Sequence, residues 1–211
     1  VMAEARLSRL SSRCANLADR ASIVARMMIL YTHLGEIDRA LELVIHCLET
    51  FGEVLRIDPT DGDLEEEYRA LLAIIGERSI GCLIDLPSMT DVALRTVMEL
   101  LEAASGPAGV FNVDLLTVIQ LRMARLSIQY GPTDEATHAY AGLARAFGWR
   151  IGSFELGQSF RSLAMRLVDE RGFGRCAERV YSVIAGVVAP YTDPLTECAD
   201  LALRAIELGP E

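Results

Sequence analysis

Apolar residues recur along this chain at spacings of three and four almost everywhere and alternate at a spacing of two almost nowhere. The pattern predicts helices over about 3–17, 21–34, 37–51, 63–77, 78–85, 89–104, 112–130, 134–147, 152–170, 174–188 and 194–208. Gly35 separates the second from the third, and Gly52 ends the third. "RIDPTDGD" reads as a turn, after which Asp63 is placed to cap a helix with Glu65 and Glu66 in its first turn. That accounts for the acidic run Asp61 to Glu67 without a bound cation. "LIDLPSMTD" (Leu83 to Asp91) reads as a corner. Pro87 stops one helix, Ser88 caps the next with Asp91 at its third position, and Met89 plugs the core. "SGPAG" (Ser105 to Gly109) is the most linker-like stretch and sets a sub-boundary near 105–111. It is too short to force two domains, so residues 1–211 are taken as one helical-repeat domain.

Short connections between successive helices predict hairpins, and the hairpins show a repeat. In a tetratricopeptide hairpin a glycine closes the first helix, a small residue five positions later admits close packing, and bulky residues follow four and seven positions on. "LGEIDRALELVIHCL" supplies Gly35, Ala40, Val44 and Cys47, with Met27 and Tyr31 on the preceding helix. "RGFGRCAERVYSVI" supplies Gly172, Ala177, Tyr181 and Ile184. "YGPTDEATHAYAGLARAFG" is a third hairpin with a longer turn, so a strict 34-residue period is not kept. The expected fold is all-α: an irregular tetratricopeptide-like α-solenoid of antiparallel helical hairpins.

Composition narrows the function classes. The 211 residues are 51% hydrophobic but only 6% aromatic, which suits helix packing better than a β-sandwich. A net charge of -10 argues against a nucleic-acid partner, since a phosphate backbone demands a basic face. All 20 basic residues are arginine. The absence of lysine removes the P-loop lysine, Schiff-base chemistry and the Ser-x-x-Lys nucleophile. Cys14, Cys47, Cys82, Cys176 and Cys198 are scattered and odd in number, so they read as small buried thiols of a cytoplasmic protein rather than a disulfide framework. No apolar run approaches the length of a membrane span. The last helical pattern breaks off at "AIELGPE", which reads as a segment of something longer.

No catalytic, metal or cofactor constellation emerges. His33, His46 and His138 share no ligand spacing, and His46 and Cys47, as helical neighbours, face different directions. Glu65, Glu66 and Glu67 and the pair Asp85 and Asp91 are the densest carboxylates, better explained by helix starts than by acid–base work. "GFG" (Gly172 to Gly174) and "GPAG" follow no strand and lack a phosphate-cradle spacing. A hydrolase built on these helices would lack a nucleophile–base pair. The best interaction candidate is helix 112–130. Leu115, Leu116, Ile119, Met123, Leu126 and Tyr130 form its apolar face, while Arg122, Arg125 and Gln129 lie on a neighbouring stripe. Arginines so placed can take carboxylate or phosphate bidentately and line a groove, although a solvated helix face with internal salt bridges is the simpler account. Trp149 and Arg150, at a turn between hairpins, are the other candidate anchors, with a core role for the lone Trp as the alternative.

Four stretches then carry a family resemblance: "HLGEIDRALELVIHCLETFG", "LIDLPSMTD", "LSIQYGPTDEATHAYAGLA" and "VAPYTDPLTECADLALRAIELG". In that order, and spanning about residues 20–209, they resemble the helical-repeat region of large bacterial multidomain signalling ATPases. Those proteins join a Ser/Thr kinase domain, an AAA-like ATPase, this helical region, a GAF domain and a histidine kinase. The chain departs from the pattern at Val92, where related sequences tend to have Pro, and at Tyr191, where they often carry Trp. The resemblance implies a regulatory region rather than a reaction, with phosphotransfer and nucleotide hydrolysis in flanking domains. The implied partners are those flanking domains, other proteins or a small-molecule effector. A separate reading is a receptor whose helical cup binds an inducer, and the exposed end faces of a solenoid allow a second copy of the chain as partner.

Overall fold

The computed structural model describes residues 16–209, and helices joined by short connections account for the chain over that span, with no strand among the described residues. Most of the expected helix 3–17, and Cys14, lie outside the described residues. The chain divides into two compact units. The first, in its described part, comprises residues 16–65 and 90–119, and the second residues 66–89 and 120–209.

In the first unit, α1 (Leu17–His33) starts at Asn16, whose side chain accepts a hydrogen bond from the Ala18 N–H at 3.0 Å. Gly35 takes the left-handed conformation (φ 77°) that turns the chain into α2 (Ile37–Glu49). The positions chosen by the repeat pattern are interior: Met27, Tyr31, Ala40, Val44 and Cys47 are all buried. Each fully buried large aliphatic side chain such as Leu41 or Leu48 contributes about 2 kcal/mol. The next helix, α3 (Asp61–Ile75), begins two residues earlier than expected. Thr60, not Asp63, precedes its first turn: the Thr60 N–H donates to the Asp63 carboxylate at 2.8 Å, and the Asp63 N–H returns to Thr60 Oγ1 at 3.3 Å. This reciprocal pair satisfies both orphan donors, so Asp63 serves at the third position of a capping box.

α4 (Val92–Phe111) corrects two further expectations. It starts three residues later than expected because Met89 is buried with its N–H bonded to the Pro132 carbonyl (3.2 Å), which holds that residue outside a helix. Asp91 is therefore the cap, accepting from the Leu94 N–H at 2.9 Å, and Ser88 is not. The "SGPAG" stretch is not a linker but the last turns of α4, with Pro107 inside. Proline there removes one backbone bond, yet Ala104, Ser105, Pro107 and Ala108 are all buried and Ser105 Oγ bonds the Leu101 carbonyl (3.1 Å). α4 packs along both α1 and α2, and close packing of small residues outweighs poor intrinsic propensity. The corner falls instead at Asn112, whose N–H closes α4 onto Ala108 O and whose side chain accepts from the Asp114 N–H (2.8 Å) to open α5 (Val113–Tyr130).

The second unit holds the rest of α3 and α5, a 3₁₀ turn (Ile80–Asp85), α6 (Asp134–Ala146), α7 (Phe154–Arg171), α8 (Ala177–Val183) and α9 (Leu195–Leu208). Tyr140, Phe147 and Phe160 form its aromatic centre, with ring centroids 5.6 and 5.3 Å apart along the series Tyr140–Phe160–Phe147. Tyr140 donates to Ser127 Oγ at 2.9 Å, so its hydroxyl is satisfied in the core. A Cβ on Gly157 would sit 2.8 Å from the Ala144 carbonyl oxygen, so α6 and α7 approach closely only because that position is glycine. Met89 is buried as expected. The Pro87–Met89 backbone lies directly against Gly131, and the Arg171 guanidinium donates to the Ile84 carbonyl at the end of the 3₁₀ turn. Here Gly172, at φ 73°, ends α7, and Ala177, Tyr181 and Ile184 are buried.

Candidate functional site

Helix α6 does not stop at its end; the chain widens into a π turn over Phe147–Ile151, closed by Gly152 at φ 72°. A second π turn, Ile184–Val188, follows α8 and leads through a 3₁₀ turn (Ala189–Tyr191) towards α9. Both π turns contribute to one small cleft, together with the start of α7. Arg145, Trp149, Phe154, Gln158, Tyr191 and Thr192 line it. Trp149 and Tyr191 meet edge to face, with centroids 5.0 Å apart and planes at 84°. Gly148 lets the Phe154 ring come to within 3.4 Å of where a Cβ would stand.

Arg145 gives the cleft its chemistry. Its side chain is largely withdrawn from solvent, and Nη2 is buried without a hydrogen-bond acceptor among the described residues. Burial lowers its pKa, and no neighbouring carboxylate offsets the effect. The guanidinium nonetheless stays charged, so its unmet donor carries a desolvation cost. Nearby, Arg161 pairs with Asp193 and donates to Thr192 Oγ1 (3.3 Å) and Gln158 Oε1 (3.4 Å). That hydrogen bond and charge hold the Asp193 carboxyl below its usual range. The carboxylate beside Thr192 is thus already taken by Arg161, and Arg145 is left as the uncompensated cation. An unmet guanidinium donor has the chemistry to take an anionic acceptor.

The residues singled out from the sequence fall in separate constellations. Arg122 and Arg125 converge on Glu67: Arg122 Nε donates to Oε1 at 2.7 Å, and Arg125 Nε to Oε2 at 3.3 Å. Their side chains are only 14% and 24% exposed and that of Glu67 10%, so this is an internal ion cluster. Glu67 therefore has a role beyond the acidic helix start to which the sequence assigns it. Gln129 is exposed and takes no part in the Glu67 cluster. On α5, Leu115, Ile119, Met123 and Leu126 are buried, but Tyr130 at the helix end is exposed. Trp149 is exposed and forms a wall of the Arg145 cleft; Arg150 is exposed beside it.

His33 and His46 are exposed, and His46 lies 3.3 Å from Glu49 on its own helix. Among the described residues no three ligand-type side chains cluster as a metal site. Cys47, Cys176 and Cys198 are buried, whereas Cys82 is exposed on the 3₁₀ turn, because only the Ile80, Leu83 and Ile84 face of that turn is interior. No described helix is long and apolar enough to cross a membrane. Sequence reasoning missed Arg145, Phe154, Gln158 and Tyr191. The available signal was Arg145 standing four residues, one helical turn, before the only tryptophan. Comparison with protein-family models, curated proteins and solved structures finds no match to this chain.

Proposed function

We propose that this chain is a non-catalytic regulatory segment of a cytoplasmic signal-transduction ATPase or kinase, built as an irregular tetratricopeptide-like α-solenoid. The observation that carries the reading is the ordered set of four motif stretches, which stands on its own because no family model matches. Its structural support is that two of the stretches meet: "LPSM" lies on the Gly131–Pro132 corner of "YGPTD". The repeat positions support the solenoid, since Ala40 and Ala177 are buried five residues after left-handed Gly35 and Gly172. A segment of this kind receives a signal and passes it to neighbouring catalytic domains. Translating the reading frame on both sides tests it first: kinase or P-loop motifs are expected upstream, and their absence overturns the reading. In the full-length protein, replacing residues 16–209 with a flexible linker is expected to change the rate of ATP hydrolysis or phosphotransfer several-fold.

A second reading, a receptor domain for a small molecule, is favoured by one feature: the half-buried Arg145 in an aromatic cleft, its Nη2 without an acceptor among the described residues. Ligand binding only to the folded chain raises its melting temperature in a concentration-dependent manner, which a thermal-shift screen detects.

A further inference from the structure

We propose that the cleft headed by Arg145 is a binding site for a small organic monocarboxylate, with the carboxylate on the guanidinium and the apolar body against Trp149, Phe154 and Tyr191. This deepens the receptor reading by naming the ligand class, and it rests on that reading for its biological use.

Charge comes first. Arg122, Arg125 and Arg161 are also drawn in from solvent, and each meets a carboxylate of this chain. Arg145 meets none among the described residues, although its Nη2 is shut away from water. A planar fork with an unmet donor is the group that binds a carboxylate through two parallel hydrogen bonds. The walls decide the rest of the ligand. A single cation among three aromatic rings suits one negative charge attached to an apolar body, and disfavours a strongly hydrated dianion such as phosphate. Gln158 and Thr192 add polar atoms at the margin, where Arg161 already orients them.

Closure is part of the site. The free volume of the cleft, about 10 Å³, is the room one water needs. Trp149 is 55% exposed and rides on the π turn closed by Gly152, so ligand entry moves its indole off Tyr191 while the core beneath stays packed. Trp149 is also the only tryptophan in the chain, so its fluorescence reports on this cleft alone.

The test is a titration of the whole chain with sodium benzoate, and separately with benzyl alcohol, at constant ionic strength, following Trp149 emission. Benzoate is expected to give a saturable change that benzyl alcohol and sodium chloride do not. R145Q is expected to weaken the benzoate response about tenfold or more, and R145K, which keeps the charge but loses the fork, to weaken it less. Circular dichroism establishes that the variants are folded; if R145Q is not, the contrast between benzoate and benzyl alcohol on the unaltered chain decides alone. Equal responses to the two compounds, a response to chloride alone, no response to benzoate, or a folded R145Q that binds as before would each overturn the proposal. None of these outcomes touches the signalling reading, which the neighbouring domains decide.

Discussion

Gly131 and Gly172 both occupy the left-handed region, at φ 107° and 73°, but their surroundings separate two reasons for glycine. Nothing lies within 4 Å of a Cβ on Gly172, whereas a Cβ on Gly131 would stand 2.1 Å from the Pro87 carbonyl oxygen and 2.8 Å from the Met89 nitrogen. Gly172→Ala is therefore expected to cost only the backbone term, about 1 kcal/mol. Gly131→Ala adds a clash with main chain that cannot swing away, for about 3 kcal/mol or more in urea unfolding. Similar losses for the two variants would mean that the corner is looser than described. The turn role of Gly172 is visible in the sequence because its cause is local, while the clash at Gly131 arises from residues more than forty positions away. The same holds for Glu67, which reads as one more carboxylate of an acidic helix start until Arg122 and Arg125 close on it. A double-mutant cycle of E67Q with R125Q is expected to show a coupling of about 1 kcal/mol, reduced by partial solvent screening of Arg125. Strictly additive effects would remove Arg125 from the cluster.

Helix ends show where local signals mislead. Ser88 and Asp91 are both good capping residues, and the sequence offers no means of choosing between them. Burial of Met89 decides, because a core plug bonded to the Pro132 carbonyl leaves the helix to begin at Val92. Asp91→Ala is thus expected to lower stability by about 1 kcal/mol and Ser88→Ala to change it by less than about half that. The reverse order would restore the earlier helix start. Pro107 misleads in the opposite sense: glycine and proline predict a linker where buried small side chains hold a helix together. Between α7 and the 3₁₀ turn before α9, the tie is Arg161 with Asp193. The folded Asp193 carboxyl titrates below its ordinary value, so the pair's contribution is complete above about pH 4 and is lost as pH falls through the lowered folded value. Melting temperatures from pH 7 down to pH 3 are therefore expected to fall more steeply for the unaltered chain than for D193N, the two converging at the acid end. Parallel curves would show that the pair adds nothing to folding.

At the scale of the whole chain, the helical class and most elements are legible in the periodicity, because each helix is written in its own residues. What is not legible is how the chain is shared out: each unit is assembled from two separated stretches. The Arg145 cleft is hidden for the same reason, since Tyr191 comes more than forty residues after Arg145 and only the fold joins them. The sequence places its one sub-boundary near 105–111, and cutting the chain there gives a fragment of residues 112–209. Such a fragment lacks residues 66–89, which the second unit needs. Glu67 answers Arg122 and Arg125, Tyr68 lies 5.6 Å from the Phe147 ring, and Arg171 holds the Ile84 carbonyl. Without them two arginines lose a carboxylate inside the unit and the Gly131 corner loses its cover, each a loss of a kcal/mol or more by order of magnitude. Together such losses rival the net stability of a small domain, about 5 kcal/mol. The fragment is expected to show less helix per residue by circular dichroism and no sharp thermal transition. Joining residues 66–89 ahead of residue 120 through a flexible Gly/Ser linker is expected to restore both. A cooperative transition in the bare fragment would show instead that residues 112–209 fold without the 66–89 stretch.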